Sequence, residues 1–316
     1  MRPAISYQLS VVRILVICFL FAVLCFLSSV LCGCQKQQLH KDSRLMMGTL
    51  VEVISPYSEA ADIVFKEVER IENLLSIYKQ DSQVSELNEF GSVKVSPELL
   101  FVINRASEFW RVSDGAFDIT VGSLVKLWGF QDRKFRLPSD EEINQAKKLV
   151  GFEFVDFNGD AIELKTKGVK IDLGAIAKGY ALDCAVRKLR LNGINSALLN
   201  AGGDVYCLGD KFGRPWQVAI KSARRKGFFG YLELMDKAVA TSGGYEQFFS
   251  IGDSRYCHIL NPKTGRPADA GVVSVSVIAS DCLTADALAT SIFVLGKEEG
   301  QELLKRFNAE ARIFTE

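Results

Sequence analysis

The sequence predicts an α+β fold with mixed helices and a mostly antiparallel sheet. Helix-like and strand-like segments follow one another without the regular β-α-β alternation of a parallel doubly wound sheet. Residues 196–279 are mostly strand-like, with glycine-rich turns between the strands. No repeat or long linker interrupts the chain, and its 48% hydrophobic residues suffice for a large core. We therefore expect a single compact body with two intimately packed subdomains.

The first 33 residues have the composition of an export signal. They contain Arg2 and Arg13 but no acid, and the 18 residues 14–31 are all apolar or small. The segment ends in Leu-Cys-Gly-Cys, as in a bacterial lipoprotein signal, so Cys34 is the predicted lipidated first residue of the mature chain. The alternative is an uncleaved membrane-spanning helix, because this run is just long enough to span a bilayer. We expect a signal at 1–33, a tether at 34–45 and the folded domain at 46–316.

Apolar residues that recur at helical spacing predict the helices. The predicted helices span residues 59–78, 97–112, 139–150, 174–191, 282–295 and 297–307. The first shows the spacing in Val64, Val68 and Ile71. The third opens on a cap-like Ser-Asp-Glu-Glu, and the fourth closes at Asn192 and Gly193.

Alternating or continuous apolar runs between turn residues predict the strands. The predicted strands lie at residues 49–55, 152–157, 161–164, 169–172 and 272–279. The last of these, V-V-S-V-S-V-I-A, gives the clearest strand pattern of the chain.

Charge and histidine content exclude two classes of function. The 38 basic and 38 acidic residues leave a net charge of zero, whereas nucleic-acid binders carry a basic excess, so we expect no nucleic acid as partner. Only His40 and His258 are present, which excludes a histidine-rich zinc centre and favours oxygen ligands for any metal. No C-x-x-C occurs after the signal, so we expect isolated buried thiols, with one or two disulfides as the alternative. These cysteines are Cys184, Cys207, Cys257 and Cys282.

A predicted strand-turn-helix segment at 171–180, I-D-L-G-A-I-A-K-G-Y, is a candidate phosphate site. The strand ends in Asp172, and the helix carries Lys178 in its first turns. Backbone N–H groups and an ammonium at a helix N-terminus suit an anion. The segment is neither a Walker A loop nor a G-x-G-x-x-G fingerprint. The alternative is a common strand-to-helix turn with a solvated Lys178.

Asp286 and Thr290 are candidate metal ligands. They are four residues apart, so on a helix they lie on the same face. A carboxylate and a hydroxyl so placed can supply two oxygen ligands to Mg²⁺. The alternative is that Thr290 bonds back to the backbone carbonyl of residue 286 while the acid is solvated. Mg²⁺ beside a phosphate-binding turn would indicate phosphoryl or nucleotidyl chemistry.

Seven short motifs, in this order, resemble those of the FAD:protein FMN transferase family (ApbE, the flavin transferases). They are M-G-T at 47–49, G-A-F-D-I-T-V-G at 115–122, D-L-G-A-I-A-K-G-Y at 172–180, N-A-G-G-D at 200–204, A-T-S-G-G-Y at 240–245, H-I-L-N-P-K-T-G-R at 258–266 and A-D-A-L-A-T at 285–290. The resemblance extends from about residue 46 to the C-terminus. Similar members are often lipoproteins that face the periplasm, which implies a bacterial membrane lipoprotein here, at the inner membrane.

The resemblance implies a Mg²⁺-dependent transfer of FMN from FAD to a threonine or serine hydroxyl of a target protein, with release of AMP. The implied acceptors are flavoprotein subunits of membrane redox complexes, such as sodium-pumping NADH:quinone reductase. The implied metal ligands are the carbonyl oxygen of Ala175 together with Asp286 and Thr290. The implied FAD contacts are Met47, Tyr78, Ala116, Phe117, Asp118, Asp172, Lys178 and Ile259.

Such a transfer needs a base, because a free hydroxyl is a poor nucleophile. His258 and a nearby carboxylate are the candidates, and His258 ranks first, although a lone histidine in a strand is more often structural. The predicted catalytic residues are His258 and Asp286. Two alternatives use the same residues. One is a Mg²⁺-dependent pyrophosphatase that splits FAD into FMN and AMP, and the other is a non-catalytic, lipid-anchored FAD-binding protein.

Overall fold

The structure, a computed structural model, describes residues 38–221 and 227–315. The predicted signal, its alternative as a membrane-spanning helix and the lipidation site Cys34 lie outside these residues. Among the described residues, no helix combines the length and the apolar character needed to cross a membrane.

Antiparallel strands form the centre of the described part. The strands are β1 (His40–Met46), β2 (Thr49–Ser55), β3 (Ser92–Lys94), β4 (Val155–Asn158), β5 (Ala161–Leu164), β6 (Ala197–Ala201), β7 (Asp204–Leu208), β8 (Trp216–Lys221), β9 (Phe228–Leu234), β10 (Lys237–Gly243), β11 (Phe248–Ile251), β12 (Ser254–Cys257), β13 (Leu260–Asn261), β14 (Arg266–Pro267), β15 (Val272–Ala279) and β16 (Glu310–Thr315). Within the described residues, seven of them form one sheet in the order β1-β2-β6-β7-β10-β15-β16. Every neighbouring pair in it is antiparallel, which confirms the predicted α+β fold.

Helices cover one face of this sheet. The helices are α1 (Ala60–Leu75), α2 (Gln83–Phe90), α3 (Pro97–Val112), α4 (Gly122–Leu127), α5 (Asp140–Lys147), α6 (Ala177–Leu191), α7 (Cys282–Leu295) and α8 (Lys297–Leu304). Helix α7 packs on β10 and β15, and α6 packs on both α7 and α1. The hairpin β8–β9 covers the opposite face through Trp216 and Leu234. Because both faces are covered, every residue of β7 is buried.

All six predicted helices are present, and α3 and α7 have the predicted bounds. The short helices α2, of eight residues, and α4, of six residues, were not predicted. The helix predicted from residue 174 begins at Ala177. The preceding residues form a turn in which the N–H groups of Ile176 and Ala177 both donate to the carbonyl of Leu173.

The strands β2, β5 and β15 also have the predicted bounds. The strand predicted at 169–172 is wrong, because this segment forms only an isolated bridge between Lys170 and Val121. The segment 152–157 begins as a 3₁₀ turn, Phe152–Phe154, before it becomes β4.

Residues 40–45, predicted to belong to the tether, instead form most of the edge strand β1. It pairs with β2 along its whole length, from His40 opposite Ser55 to Met46 opposite Thr49. Nearly all of its side chains are exposed, so its polar sequence lacks the apolar alternation that indicates a strand. The folded unit therefore begins at Leu39. The contacts keep residues 39–316 together as one compact unit, as expected of a single body. The two intimately packed subdomains stay a prediction.

The four cysteines of the body are all buried and free, which confirms the prediction of isolated thiols. Burial raises the pKa of the Cys184 thiol to about 11 and that of Cys207 to about 12. Such thiols stay protonated and are poor nucleophiles.

The backbone of α6 packs directly against the backbone at the N-terminus of α7, and this contact requires Gly179. A Cβ at this position would lie 2.8 Å from the Cα of Leu283 and closer still to the carbonyl oxygen of Cys282. The N–H of Gly179 donates to Oδ2 of Asp286 at 3.2 Å. Asp183 of α6 accepts the N–H groups of Cys282 and Leu283 at 2.8 and 2.9 Å, which satisfies two donors in the first turn of α7.

The substitution Gly179→Ala is expected to lower the free energy of unfolding by about 1–3 kcal/mol, because the added methyl group overpacks the contact between α6 and α7. Urea denaturation followed by circular dichroism measures the change. Gly230→Ala in β9 is the control, since a Cβ there meets no atom within 4 Å. Its effect should stay within about 0.5 kcal/mol. Equal unfolding midpoints for the two variants would contradict the requirement for glycine at 179.

Candidate functional site

Lys178 lies at the centre of a cluster of charged side chains. Its Nζ lies 2.9 Å from Oδ2 of Asp204 and 3.4 Å from Oδ2 of Asp286. It also donates to the carbonyl oxygen of Gly174 at 3.3 Å. Both aspartates are buried, whereas the Lys178 side chain is 26% exposed. One ammonium therefore faces two buried carboxylates at a point that solvent can reach.

Three elements bring these side chains together. Lys178 lies in the first turn of α6 and Asp286 in the second turn of α7, so the close contact at Gly179 places the two side by side. Asp204 is the first residue of β7 and follows a tight turn at Gly202 and Gly203. These glycines have φ values of +64° and +104°, in the region that favours glycine.

Burial and like charge set the pKa values of the cluster. Burial raises the pKa of Asp204 to about 7, and the charge of Asp286 adds to this rise while Lys178 opposes it. Glu246 lies in the turn after β10, where burial of its carboxyl group raises its pKa to about 7, with Asp286 adding to the rise and Lys178 opposing it. Burial lowers the pKa of Lys178, but Asp204 and Asp286 outweigh it and hold the pKa above its ordinary value. The ammonium therefore stays charged.

Of the residues expected to bind a metal, Asp286 belongs to this cluster, and Thr290 lies one turn further along α7. Asp286 is buried rather than solvated, and Oγ1 of Thr290 lies 3.2 Å from Oγ of Ser242. The carbonyl of Ala175 accepts no hydrogen bond from any described residue. In a continuous helix the N–H of Gly179 would reach it, but this N–H donates to Asp286 instead.

These oxygen atoms fit a hard cation. Within the described residues, no group of three histidine, cysteine, aspartate or glutamate side chains is arranged to hold a metal. The donors are instead one carboxylate, one hydroxyl and one free carbonyl, and Mg²⁺ prefers oxygen donors of this kind. The residues present therefore fit the predicted ion.

The turn predicted to bind phosphate is not a simple anion site. Lys178 is held by carboxylates instead of being solvated, and the N–H of Gly179 is already bonded to Asp286. The N–H of Gly174 donates to Oδ1 of Asp172 at 2.8 Å. An anion here would face two carboxylates as well as one ammonium. The arrangement therefore suits a phosphate that arrives with a cation better than a free phosphate.

His258 is half-buried and directly follows β12. Its backbone N–H donates to the carbonyl oxygen of Gln247 at 3.1 Å, and its Nδ1 lies 3.1 Å from the same oxygen. A carbonyl only accepts hydrogen bonds, so Nδ1 carries the proton and Nε2 keeps a free lone pair. Burial lowers the pKa of His258 to about 4, and Lys178 acts in the same direction. The imidazole is therefore neutral at physiological pH.

Three residues expected to contact FAD lie at the surface or in turns. Tyr78 is 67% exposed, and partial burial of its hydroxyl together with the charge of Asp172 raises its pKa. The N–H of Asp172 donates to the carbonyl of Ile119 at 2.7 Å, which joins two of the motif segments. Met47 occupies the β1–β2 turn with φ of 51°, and its N–H donates to Oε1 of Glu72 at 2.9 Å.

The G-A-F-D-I-T-V-G segment places its side chains inside the protein. The ring of Phe117 is buried, with its centroid 5.7 Å from that of Phe109. Asp118 is buried and accepts the N–H and the hydroxyl of Thr120 at 2.7 and 2.6 Å, and burial raises its pKa to about 6. The other buried members of the expected FAD set are Ala116 and Ile259. Their contact with FAD stays a prediction.

Sequence reasoning missed Asp204 and Glu246. Asp204 ends the N-A-G-G-D motif, which alone indicates only a tight turn. An acid at the first position of a buried strand is the signal that could have identified it. Glu246 gives no such signal, because it meets Lys178 only through tertiary packing.

Comparison with known proteins identifies the family to which the chain belongs. A FAD:protein FMN transferase from Vibrio cholerae is 34% identical over 285 residues, which cover 85% of this chain and 85% of that protein. A FAD:protein FMN transferase from Treponema pallidum is 34% identical over 310 residues, which cover 89% and 86%. The crystal structure of the ApbE protein from Thermotoga maritima matches with a TM-score of 0.82 and 38% identity, covering 88% of this chain and 94% of that one. The ApbE family pattern matches residues 47–314, and the chain belongs to this family.

The charge cluster predicts a measurable coupling between Lys178 and Asp204. Lys178→Met leaves two buried carboxylates without a cation, which should cost about 3 kcal/mol of folding free energy. Asp204→Asn added to Lys178→Met removes one of these charges, so the double variant should lose less than the sum of the single losses. Urea denaturation of the four proteins at pH 8 measures the coupling. Strictly additive losses would contradict the ion pair.

Proposed function

We propose that this protein transfers FMN from FAD to a serine or threonine hydroxyl of an acceptor protein and releases AMP. Its membership of the ApbE family supports this, since its relatives include FAD:protein FMN transferases over most of their length. The observation that carries the proposal is the cluster of Lys178, Asp204 and Asp286 beside the free carbonyl of Ala175. This site has both an ammonium for a phosphate and oxygen atoms for a cation.

Asp286, Thr290 and the Ala175 carbonyl are the residues that would hold Mg²⁺. When bound, the ion supplies neutralising charge to the phosphoryl oxygens. Lys178 binds the pyrophosphate, because its pKa stays high and its side chain reaches solvent. Asp204 keeps the ammonium in place through the 2.9 Å ion pair.

His258 is the proposed base. Its Nδ1 proton is held by the Gln247 carbonyl, so Nε2 is the atom that accepts the proton of the acceptor hydroxyl. Its low pKa keeps the imidazole unprotonated across the neutral range. In the transfer, the hydroxyl oxygen bonds to the FMN-side phosphorus, the bond between this phosphorus and the bridging oxygen breaks, and AMP leaves with that oxygen.

We propose that lipid on Cys34 holds the protein at the bacterial inner membrane, facing the periplasm. The composition of residues 1–34 supports this. Only residues 35–39 separate Cys34 from β1, and such a segment spans at most about 20 Å. Acceptors that fit a body held so close to the bilayer are flavoprotein subunits of membrane redox complexes.

The carboxylate of Asp286 is expected to be essential. Asp286→Asn keeps an oxygen for the N–H of Gly179 but loses the charge, so Mg²⁺-dependent transfer should fall about 100-fold or more. Covalent flavin fluorescence on a denaturing gel measures it. Asp281→Asn is the matched control on the same helix, because Asp281 caps α7 and asparagine caps equally well. Full activity of Asp286→Asn, or equal loss in Asp281→Asn, would contradict the metal assignment.

Incubation of the full chain in detergent with FAD, Mg²⁺ and a candidate acceptor tests the function itself. We expect a fluorescent acceptor band and AMP in equal amounts, the latter measured by chromatography. FMN and AMP without a labelled acceptor would instead identify a FAD pyrophosphatase. FAD that binds without turnover would identify a binding protein.

A further inference from the structure

Five aromatic rings attach the hairpin that precedes His258 to the rest of the protein. Within the described residues, β11 and β12 pair only with each other, so no backbone ladder joins them to the central sheet. The ring of Phe249 in β11 instead contacts four others. Its centroid lies 6.4 Å from that of Trp128, 5.6 Å from Phe130 and 5.2 Å from each of Phe135 and Tyr256. We call these five residues the aromatic clamp.

Trp128 anchors the aromatic clamp in the interior of the protein. Trp128 is fully buried, and its Nε1 donates to the carbonyl oxygen of Gly265 at 2.9 Å. Trp128 and Phe249 belong to a small apolar cluster with Leu124 and Ile143, separate from the main core. Loss of the Phe249 ring should therefore loosen the packing of the hairpin and of this small cluster more than the packing of the central sheet.

The hairpin in turn sets the surroundings of the imidazole. Gln247 immediately precedes β11 and His258 immediately follows β12. Phe248 and Cys257 are opposite each other in the ladder, which brings the Gln247 carbonyl to the imidazole Nδ1. Movement of β11 against β12, or of the hairpin against the clamp, would therefore change the hydrogen bond that fixes the tautomer.

We propose that Phe249 is a positioning residue for the base: the aromatic clamp holds β11–β12 so that the Gln247 carbonyl fixes Nδ1–H of His258 and leaves Nε2 free. This inference rests on the proposed function, in which His258 is the base. Phe249 touches no reacting atom and acts only through the hairpin. A displacement of the base of about 1 Å is enough to lower a rate by orders of magnitude.

Histidine titration tests the positioning without reference to activity. The chain has only two histidines, His40 and His258, so NMR of the full chain labelled at histidine in detergent gives two titrations. In Phe249→Leu the imidazole loses burial, which is the largest cause of its low pKa, and it also loses the Gln247 hydrogen bond, which raises the pKa. The loss of burial should outweigh the loss of the hydrogen bond, so the pKa of His258 should rise from about 4 toward 6.5. The charged groups of the neighbouring cluster are Lys178 of α6, Asp204 of β7, Asp286 of α7 and Glu246 of the turn after β10. The pKa values of Asp204 and Glu246 also lie near neutral, which is the reason to observe the imidazole directly.

Kinetics supply the second readout. Phe249→Leu should lower kcat for flavin transfer about tenfold or more while KM for FAD changes less than about twofold. Phe249→Tyr keeps the ring and should restore kcat and the low pKa. Phe307→Leu is the control, because Phe307 stacks on Phe109 in the main core with centroids 5.6 Å apart. If Phe249→Leu does not fold, the variant Phe135→Leu is used in its place, because it removes only the exposed outer ring of the clamp.

An unchanged pKa of His258 in the folded variant overturns the proposal, as does a loss of kcat in Phe307→Leu equal to that in Phe249→Leu. Failure of the proposed function looks different. In that case the wild-type protein labels no acceptor, while the pKa of His258 still reports whether Phe249 positions the imidazole.

Discussion

The close approach of α6 to α7 at Gly179 is the constraint on which the rest of the site depends. Because no Cβ intervenes, the backbone N–H of Gly179 reaches Asp286, and Lys178 comes to lie beside the same carboxylate. Because this N–H donates to Asp286, the carbonyl of Ala175 accepts no hydrogen bond from the part of the chain that the structure describes. One contact between two helices therefore assembles a cation, an acid and an oxygen donor from two distant parts of the chain.

The antiparallel sheet supplies the remaining groups at one of its ends. The β1–β2 turn with Met47, the β6–β7 turn before Asp204 and the turn after β10 that carries Glu246 all lie at this end, as the strand registers show. These turns tolerate polar side chains because they lie beyond the ladder. The two-stranded hairpin β11–β12 adds the histidine without joining the sheet, so its position depends on ring packing.

The sequence was sufficient to predict features that depend on residues close together in the chain. The bounds of α7 follow from its apolar run and terminal glycine, and its i, i+4 spacing places Asp286 and Thr290 on one face. The strand β1 escaped prediction because an edge strand exposed to solvent carries no apolar alternation. The ion pair from Lys178 to Asp204 also escaped, because residues 26 positions apart meet only through the sheet and the helix above it. The motif that contains Phe117 also cannot show that the ring of this residue faces the core.

The location of the bound cation shows whether the contact at Gly179 assembles the metal site. Crystals of the full chain soaked with Mn²⁺ in place of Mg²⁺ give an anomalous signal that marks the ion without any assumption about activity. We predict one strong peak among the carbonyl of Ala175, Asp286 and Thr290. A peak on Asp204 and Glu246 alone, or no peak at saturating Mn²⁺, would contradict the assembly of the site by the contact at Gly179.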